Sequence, residues 1–319
     1  MVSRNVDNPY LYAVIPVYNE EELVESFFKE LAAKLEGITS NYKIVAVNDG
    51  SSDKSKDIIQ SLVDKLNIKF ISFSRNFGKE VAITAGLEAS CDADAAIIMD
   101  CDFQHPIEVV DQFYKKWCEG YSNIYGVRTR NDQTFSKRFF SKLFYTFSKR
   151  FMKINIPENA GDFRLLDKQV IKALNLLPER TRFMKGLYAW VGFKSYAIPF
   201  EVADRQDGTK SRWNYNELFG LAITGILSFS SVPLRLISFM GMIVSIFALA
   251  YGFYILISNL FFGANNNSWL PTIIVSIMFF SGVQLICLGV LGEYISRIFN
   301  EAKNRPKYII DEDESRNIY

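Results

Sequence analysis

The chain has 319 residues with 36 basic and 35 acidic side chains, a net charge of +1 and a mean hydropathy of only +0.05. That length holds one large α/β domain plus a smaller appendage. The charge balance argues neither for nor against nucleic acid, and the four cysteines lack C-x-x-C or zinc-ligand spacing, so they read as free thiols in a reducing compartment.

Segment 1–20 has no basic start followed by an apolar run, which predicts no cleaved signal peptide and a cytosolic N-terminal domain. Short apolar runs rich in Val and Ile occupy 11–16, 43–48, 69–74 and 95–100, with helix-length segments at 20–35, 52–66 and 80–90 between them. Such alternation predicts βαβ units and a mainly parallel sheet, and 123–127 reads as a further strand. Segment 135–151 repeats phenylalanine at helical spacing, with Lys137, Arg138, Lys142 and Lys149 mostly on the opposite face. A basic amphipathic helix of this kind suits a membrane interface; the plainer alternative is a surface helix packed on its own domain. Segment 213–231 is a second interfacial helix leading to a break at Ser230, Ser231 and Pro233.

Charge is placed very unevenly. From Leu236 to Gly292 there is no Asp, Glu, Lys or Arg. Segments 236–262 and 270–294 each exceed the ~20 residues a bilayer needs, and predict a transmembrane hairpin over 232–298. Arg235 flanks one side, and Arg297, Lys303, Arg305 and Lys307 flank the other, whereas the turn 263–269 is uncharged. The excess of bases puts both flanks, and both chain termini, in the cytosol. Within the cytosolic tail 299–319, residues 311–319 are polar and are expected to be mobile. A catalytic domain over 1–212, cut free of 232–319, is expected to stay soluble and bind nucleotide.

Four polar clusters follow the predicted strands: P-V-Y-N-E from Pro16, N-D-G-S-S-D from Asn48, S-R-N-F-G-K from Ser74 and D-C-D-F-Q-H-P from Asp100. Ligands of open parallel sheets bind at those strand ends. Asp100 and Asp102, one residue apart, can converge on a hard divalent cation that neutralises a diphosphate. Alternatively they cap the helix starting near Pro106. Asp49 can accept hydrogen bonds from a base or ribose, or Ser52 and Asp53 can simply cap a helix. His105, the only histidine, lacks a G-x-S-x-G partner motif and reads as a loop residue beside the metal site. Neither a G-x-G-x-x-G nor a P-loop motif is present. Asp162, in G-D-F-R, precedes what reads as a helix and is either its N-cap or a functional carboxylate. The loop with Arg205, Gly208, Lys210, Ser211, Arg212 and Trp213 either clamps phosphate groups or touches anionic lipid.

With G-D-F-R-L-L-D and R-Q-D-G-T-K-S-R-W added, these six ordered motifs resemble the family-2 glycosyltransferases of GT-A fold. The likeness is to the polyprenyl-phosphate glycosyltransferases, closest to bactoprenol glucosyltransferases of the GtrB type and related to dolichol-phosphate mannose synthases. The resemblance, over about 10–305, implies a Rossmann-like α/β GT-A domain with Pro16, Tyr18, Glu20 and Asp49 lining the nucleotide pocket. It implies Mg²⁺ or Mn²⁺ on Asp100 and Asp102, Gln104 facing the sugar, and Asp162 beside the reacting centre. Arg128 and Arg138 would approach the acceptor phosphate, and Arg205 and Arg212, with Lys210 and Ser211 in the same loop, would clamp phosphate groups. Two departures stand out: the basic loop is one residue longer than R-x-x-G-x-S-K, and Asn48 replaces the first Asp of D-D-G-S.

The implied reaction is inverting transfer of a hexose, glucose from UDP-glucose, onto undecaprenyl or another polyprenyl phosphate at a bacterial plasma membrane. A phosphate monoester has its second pKa near about 6 and is already nucleophilic, so Asp162 would position it or accept a residual proton. The partners are then the sugar nucleotide, the lipid phosphate and the bilayer, without nucleic acid; a homo-oligomer is open. GDP-mannose is the alternative donor. A processive polysaccharide synthase needs Q-x-x-R-W, but Gln206 lies six residues before Arg212. The non-enzyme alternative is a sugar-lipid carrier or a scaffold with an inactive domain. Two spans without intramembrane charge make a poor transporter.

Overall fold

The computed structural model describes residues 4, 6–129, 154, 156–202, 230, 232–262 and 270–317. The predicted helix at 135–151, Arg138, the loop with Arg205, Lys210, Ser211 and Arg212, the segment 213–229 and the turn 263–269 lie outside them. The chain divides into two units, Met1–Gly225 with Arg305–Tyr319, and Ile226–Asn304.

The first unit is built on a seven-stranded sheet: β1 (Leu11–Val17), β2 (Tyr42–Asn48), β3 (Ile68–Ser72), β4 (Ala95–Ile98), β5 (Asn123–Arg128), β6 (Ala160–Asp167) and β7 (Ser195–Phe200). Their order is β3-β2-β1-β4-β6-β5-β7. All neighbours run parallel except that β6 is antiparallel to both β4 and β5. The first four strands fall where the apolar runs predict them, because a parallel strand covered on both faces can be apolar throughout. In β1 every residue except Pro16 is buried.

Between the strands lie α1 (Val24–Glu36), α2 (Ser55–Leu62), α3 (Lys79–Glu88) and α4 (Val109–Cys118). On α1, Val24, Phe27, Phe28, Leu31, Ala32 and Leu35 are buried, the i, i+3, i+4, i+7 stripe of a helix laid on a sheet. Helix α3 crosses β1 closely: a Cβ added at Gly86 would lie 2.2 Å from Val14 Cγ1.

Two strands escape the sequence pattern, β6 and β7. The helix read after Gly161 begins later. Asp162 lies within β6, and the N-cap is Asp167, whose carboxylate accepts from the Gln169 N–H at 3.0 Å and opens α5 (Lys168–Asn175). The N-cap alternative for Asp162 is thereby removed. A short α6 (Met184–Trp190) follows.

The tail also departs from expectation. Through Asn317 it is not loose but runs antiparallel along β3, bridging Phe70 to Arg316 and Phe73 to Ile310. It closes an edge strand that would otherwise expose unpaired N–H and C=O groups.

The second unit contains α7 (Val232–Phe262) and α8 (Leu270–Ala302). Windows Val232–Tyr254 and Ile273–Ala302 have mean hydropathies of 2.1 and 2.3, and their side chains are not buried within the protein. Phe247 is 71% exposed and Leu249 74%. Helices this long, apolar and uncovered can satisfy the hydrophobic effect by lying in lipid, and the chain is membrane-associated through them.

Candidate active site

The polar clusters after β1, β2, β3 and β4 meet at the carboxyl edge of the sheet. The loops after β1 and β2 are zipped together. The Asn19 N–H donates to Ser51 Oγ (3.0 Å), the Ser52 N–H to Asn19 Oδ1 (2.8 Å) and the Glu20 N–H to Ser55 Oγ (2.9 Å). Asn19 adopts φ +54°, a left-handed turn that asparagine tolerates. Tyr18 stands 40% exposed beside this seam.

Asp49 is buried. Its Oδ1 accepts from the Phe77 N–H at 2.7 Å, and its Oδ2 from the Gly78 N–H at 2.9 Å. Burial raises its pKa, opposed by those two N–H donors. Its carboxylate thus fixes the loop that leads into α3. Gly50, at φ +66°, lies against that loop; a Cβ there would sit 2.4 Å from the Arg75 carbonyl carbon. Asn48, where the family pattern has Asp, donates to Ser72 Oγ at 2.9 Å and accepts from the Ser51 N–H at 3.0 Å. An Asp could not make the first of these bonds without a proton.

At the end of β4 the backbone turns sharply, with Phe103 at φ +58° packed edge-on against Phe27. Positive φ at a phenylalanine is strained and needs surrounding structure to hold it. Asp102 is 8% exposed, and its Oδ1 accepts from the Gln104 N–H at 3.1 Å. His105 is buried, stacked on Phe163 at 4.7 Å, and its Nδ1 accepts from the Asp100 N–H at 3.3 Å. Burial depresses its pKa, the nearby carboxylates opposing, which agrees with a neutral ring accepting at Nδ1. The ring therefore orients the D-C-D turn, as a loop residue beside that site.

Reversed β6 completes the site. Ile98 pairs with Arg164; two residues further along each strand, Asp100 and Asp162 come opposite. The Lys79 ammonium lies between them, 2.6 Å from Asp100 Oδ1, 2.7 Å from Oδ2 and 3.7 Å from Asp162 Oδ2. Burial would push Lys79 down, but Asp100 and Asp162 outweigh it and hold the ammonium above its ordinary value. Burial pushes Asp100 up, while Lys79, then His105 and more weakly Arg128, bring it down to about 2. Arg128, at the exposed end of β5, thus acts on the site through its field. Asp162 Oδ1 is buried and has no hydrogen-bond partner among the described residues.

Four groups here carry no role in the sequence reading: Lys79, Glu80, Arg164 and Tyr188. Glu80 accepts from the Met184 N–H at 2.8 Å, and burial, then the Asp162 charge, pushes its carboxyl up to about 7. Arg164 is buried with its guanidinium 3.5 Å from the Tyr188 ring centroid, and Nη2 donates to the Gly161 carbonyl at 2.5 Å. The signal for Lys79 was its place in S-R-N-F-G-K at a helix start. Arg164 and Tyr188 meet only through the antiparallel strand.

The donor set fits a hard divalent cation. Asp100 and Asp102 offer carboxylate oxygens, and a cation, the Lys79 ammonium, already neutralises Asp100. Among the described residues no group of three His, Cys, Asp or Glu side chains could cage a metal. Further oxygens would have to come from a diphosphate and water.

A mainly parallel sheet with paired aspartates past its fourth strand, and a third carboxylate delivered by one reversed strand, defines a GT-A catalytic domain. Residues 12–174 match the family model Glycosyl transferase family 2, and the chain belongs to that family of enzymes. It is 41% identical over 304 residues to an uncharacterised glycosyltransferase of Synechocystis, covering 95% of each chain. It is 42% identical over 307 residues to a prophage-derived bactoprenol glucosyl transferase of Shigella flexneri, covering 95% of this chain and 98% of that one. A prophage bactoprenol glucosyl transferase homolog of Escherichia coli is 40% identical over 300 residues, covering 93% and 97%.

Proposed function

We propose that this enzyme transfers glucose from UDP-glucose, with inversion, onto undecaprenyl or a similar polyprenyl phosphate at the cytosolic face of a bacterial plasma membrane. The observation that most supports this reading is the 42% identity to a bactoprenol glucosyl transferase, which extends through the hairpin as well as the catalytic domain. The hairpin supports a lipid acceptor. A polyprenyl chain leaves the bilayer at a cost of ~0.8 kcal/mol per CH₂, so its phosphate has to be met at headgroup level. The packing of the tail on β3 supports a shared side for both ends: α7 and α8 cross twice, and the chain then returns to the catalytic domain.

Pro16, Tyr18, Glu20 and Asp49 shape the nucleotide pocket in this reading, and Asp100 and Asp102 hold Mg²⁺ or Mn²⁺. The metal supplies charge neutralisation at the diphosphate leaving group. Gln104 faces the sugar. Arg128, Arg138, Arg205, Lys210, Ser211 and Arg212 bind phosphate groups of donor and acceptor. Asp162 Oδ1, without a partner among the described residues, accepts a hydrogen bond or a residual proton from the acceptor phosphate and so fixes its line of attack. Lys79 keeps Asp100 and Asp162 together by its charge.

The test is incubation of detergent-purified protein with undecaprenyl phosphate, Mg²⁺ or Mn²⁺ and separate UDP- and GDP-sugars, with the lipids read by mass spectrometry. A hexosyl-phosphate lipid from UDP-glucose alone is expected. A product from GDP-mannose alone overturns the donor, and no lipid product from any donor overturns the acceptor.

A further inference from the structure

The C-terminal tail reaches the proposed nucleotide pocket through a chain of specific contacts. It covers the free edge of β3 group by group. The Phe70 N–H and carbonyl exchange bonds with Arg316, both at 2.9 Å, and the Ser72 carbonyl accepts from the Asp311 N–H at 2.8 Å. The Ser72 N–H donates to Ser315 Oγ at 2.9 Å, and the Ser74 N–H to the Ile309 carbonyl at 3.1 Å. At its far end the Glu314 carboxylate takes Lys56 and Gln60, each at 3.2 Å, and the Glu314 carbonyl accepts from Gln60 at 2.8 Å.

At its near end the contacts point to the site. Tyr308 stacks on Phe73 at 4.9 Å and 22°, and Phe73 meets Phe77 edge-on at 5.6 Å. The N–H of Phe77 is the one held by Asp49. Tyr308 also donates to Glu88 Oε2 at 2.7 Å, and Lys307 pairs with Glu88 Oε1 at 3.0 Å. Glu88 closes α3, whose first residue is Lys79. The tail therefore grips both the loop that Asp49 fixes and the helix that delivers Lys79.

We propose that Tyr308 is a positioning residue for sugar-nucleotide binding, acting through Phe73 and Phe77 on the Asp49 loop; this rests on the reading of that loop as part of the nucleotide pocket. A loop whose aromatic support is removed samples more conformations, and the ligand must then bear the cost of ordering it. The effect belongs in affinity for the nucleotide rather than in the rate of transfer, because Tyr308 acts on Phe73 and Glu88, and Phe77 on Phe73 and Asp49, whereas the reacting cluster is held by the Lys79 ion pairs with Asp100 and Asp162.

The experiment measures calorimetric Kd for UDP and steady-state KM and kcat for the donor, on the full chain in detergent. Its variants are Tyr308→Phe, Tyr308→Leu and, as a tail control that touches α2 and not the Phe73–Phe77 stack, Glu314→Gln. Tyr308→Phe keeps the stack and should hold the wild-type Kd within about twofold. Tyr308→Leu should raise Kd and KM by about fivefold to tenfold with kcat nearly unchanged. Glu314→Gln should lower Tm and leave Kd alone. Should leucine impair folding, Tyr308→Met carries the same expectation. A Kd in Tyr308→Leu equal to wild type, or a Kd that merely follows Tm across both sites, overturns the proposal. Wild-type protein that binds neither UDP nor GDP overturns the pocket reading itself, and that arm is read before any variant.

Discussion

Asp100 and Asp162 face each other across a single ammonium, and most of the chemistry proposed for this enzyme turns on that arrangement. Replacing Lys79 by Met leaves the two carboxylates facing one another without a cation. The metal-free Lys79→Met protein should melt below wild type, and added Mn²⁺ should raise its Tm by more than it raises the wild type's. Equal Mn²⁺ shifts would mean that ammonium and metal do not share the site. Asp162→Asn should keep nucleotide affinity and lose about 100-fold in kcat, the scale of one positioned acid–base group. A near-normal rate from pH 6 to 9 would remove Asp162 from the mechanism. Glu80 gives a pH signature of its own. Its folded-state pKa, about 7, lies above the ordinary 4.5, so the folded protein binds the extra proton between those values. Stability contributed by the neutral carboxyl is full below about 4.5 and is lost as pH rises through 7. Glu80→Gln should remove that decline, and at pH 8 should be more stable than wild type by roughly 3 kcal/mol. Asp100 runs the other way: its contribution is present above its ordinary 3.8 and is lost as pH falls through about 2. Thermal melts from pH 4 to 8, in chelator, isolate what Glu80 contributes.

At the scale of elements, what was legible followed from burial. Strands β1 to β4 read directly, because each carries a short, mostly buried apolar run followed by a polar cluster at the carboxyl edge. Strand β6 did not read, since Asp162, Arg164 and Asp167 interrupt its apolar run and the sequence gives no sign of its reversed direction. That one strand supplies the third carboxylate, so motif position identified Asp162 and only topology explained why it meets Asp100. Strand β7 was not read at all; it carries Pro199, which an edge strand paired only with β5 tolerates. The loops were legible as ligand-binding edges but not as a mutually bonded set. Gly50 shows how tightly they are set. An alanine there would need a left-handed φ and would meet the Arg75 backbone at 2.4 Å. Gly50→Ala should therefore cost roughly 2–4 kcal/mol and loosen nucleotide binding, measurable by denaturant melts and UDP titration.

On the scale of the whole chain, the tail changes how the two units can be separated. Its pairing uses backbone groups and scattered polar side chains, which have no apolar period to read; this is why 311–319 looked mobile in the sequence. A chain ending at 231 loses the hairpin and also uncovers the β3 edge and the Tyr308–Phe73 stack. An open edge strand invites intermolecular pairing. A second form, in which 232–304 is replaced by a flexible Gly/Ser linker of about 20 residues, keeps the tail available to β3. The linker form should remain monomeric, bind UDP with the full-length Kd and melt several degrees above the chain ending at 231. It should also fail to glucosylate lipid in vesicles, since nothing then holds the site at headgroup level. Sedimentation, UDP titration and a vesicle assay decide between these outcomes. Equal stability and affinity in the two forms would reduce the tail to a passive cover, and undiminished vesicle activity in the linker form would remove the hairpin's role in presenting the lipid phosphate.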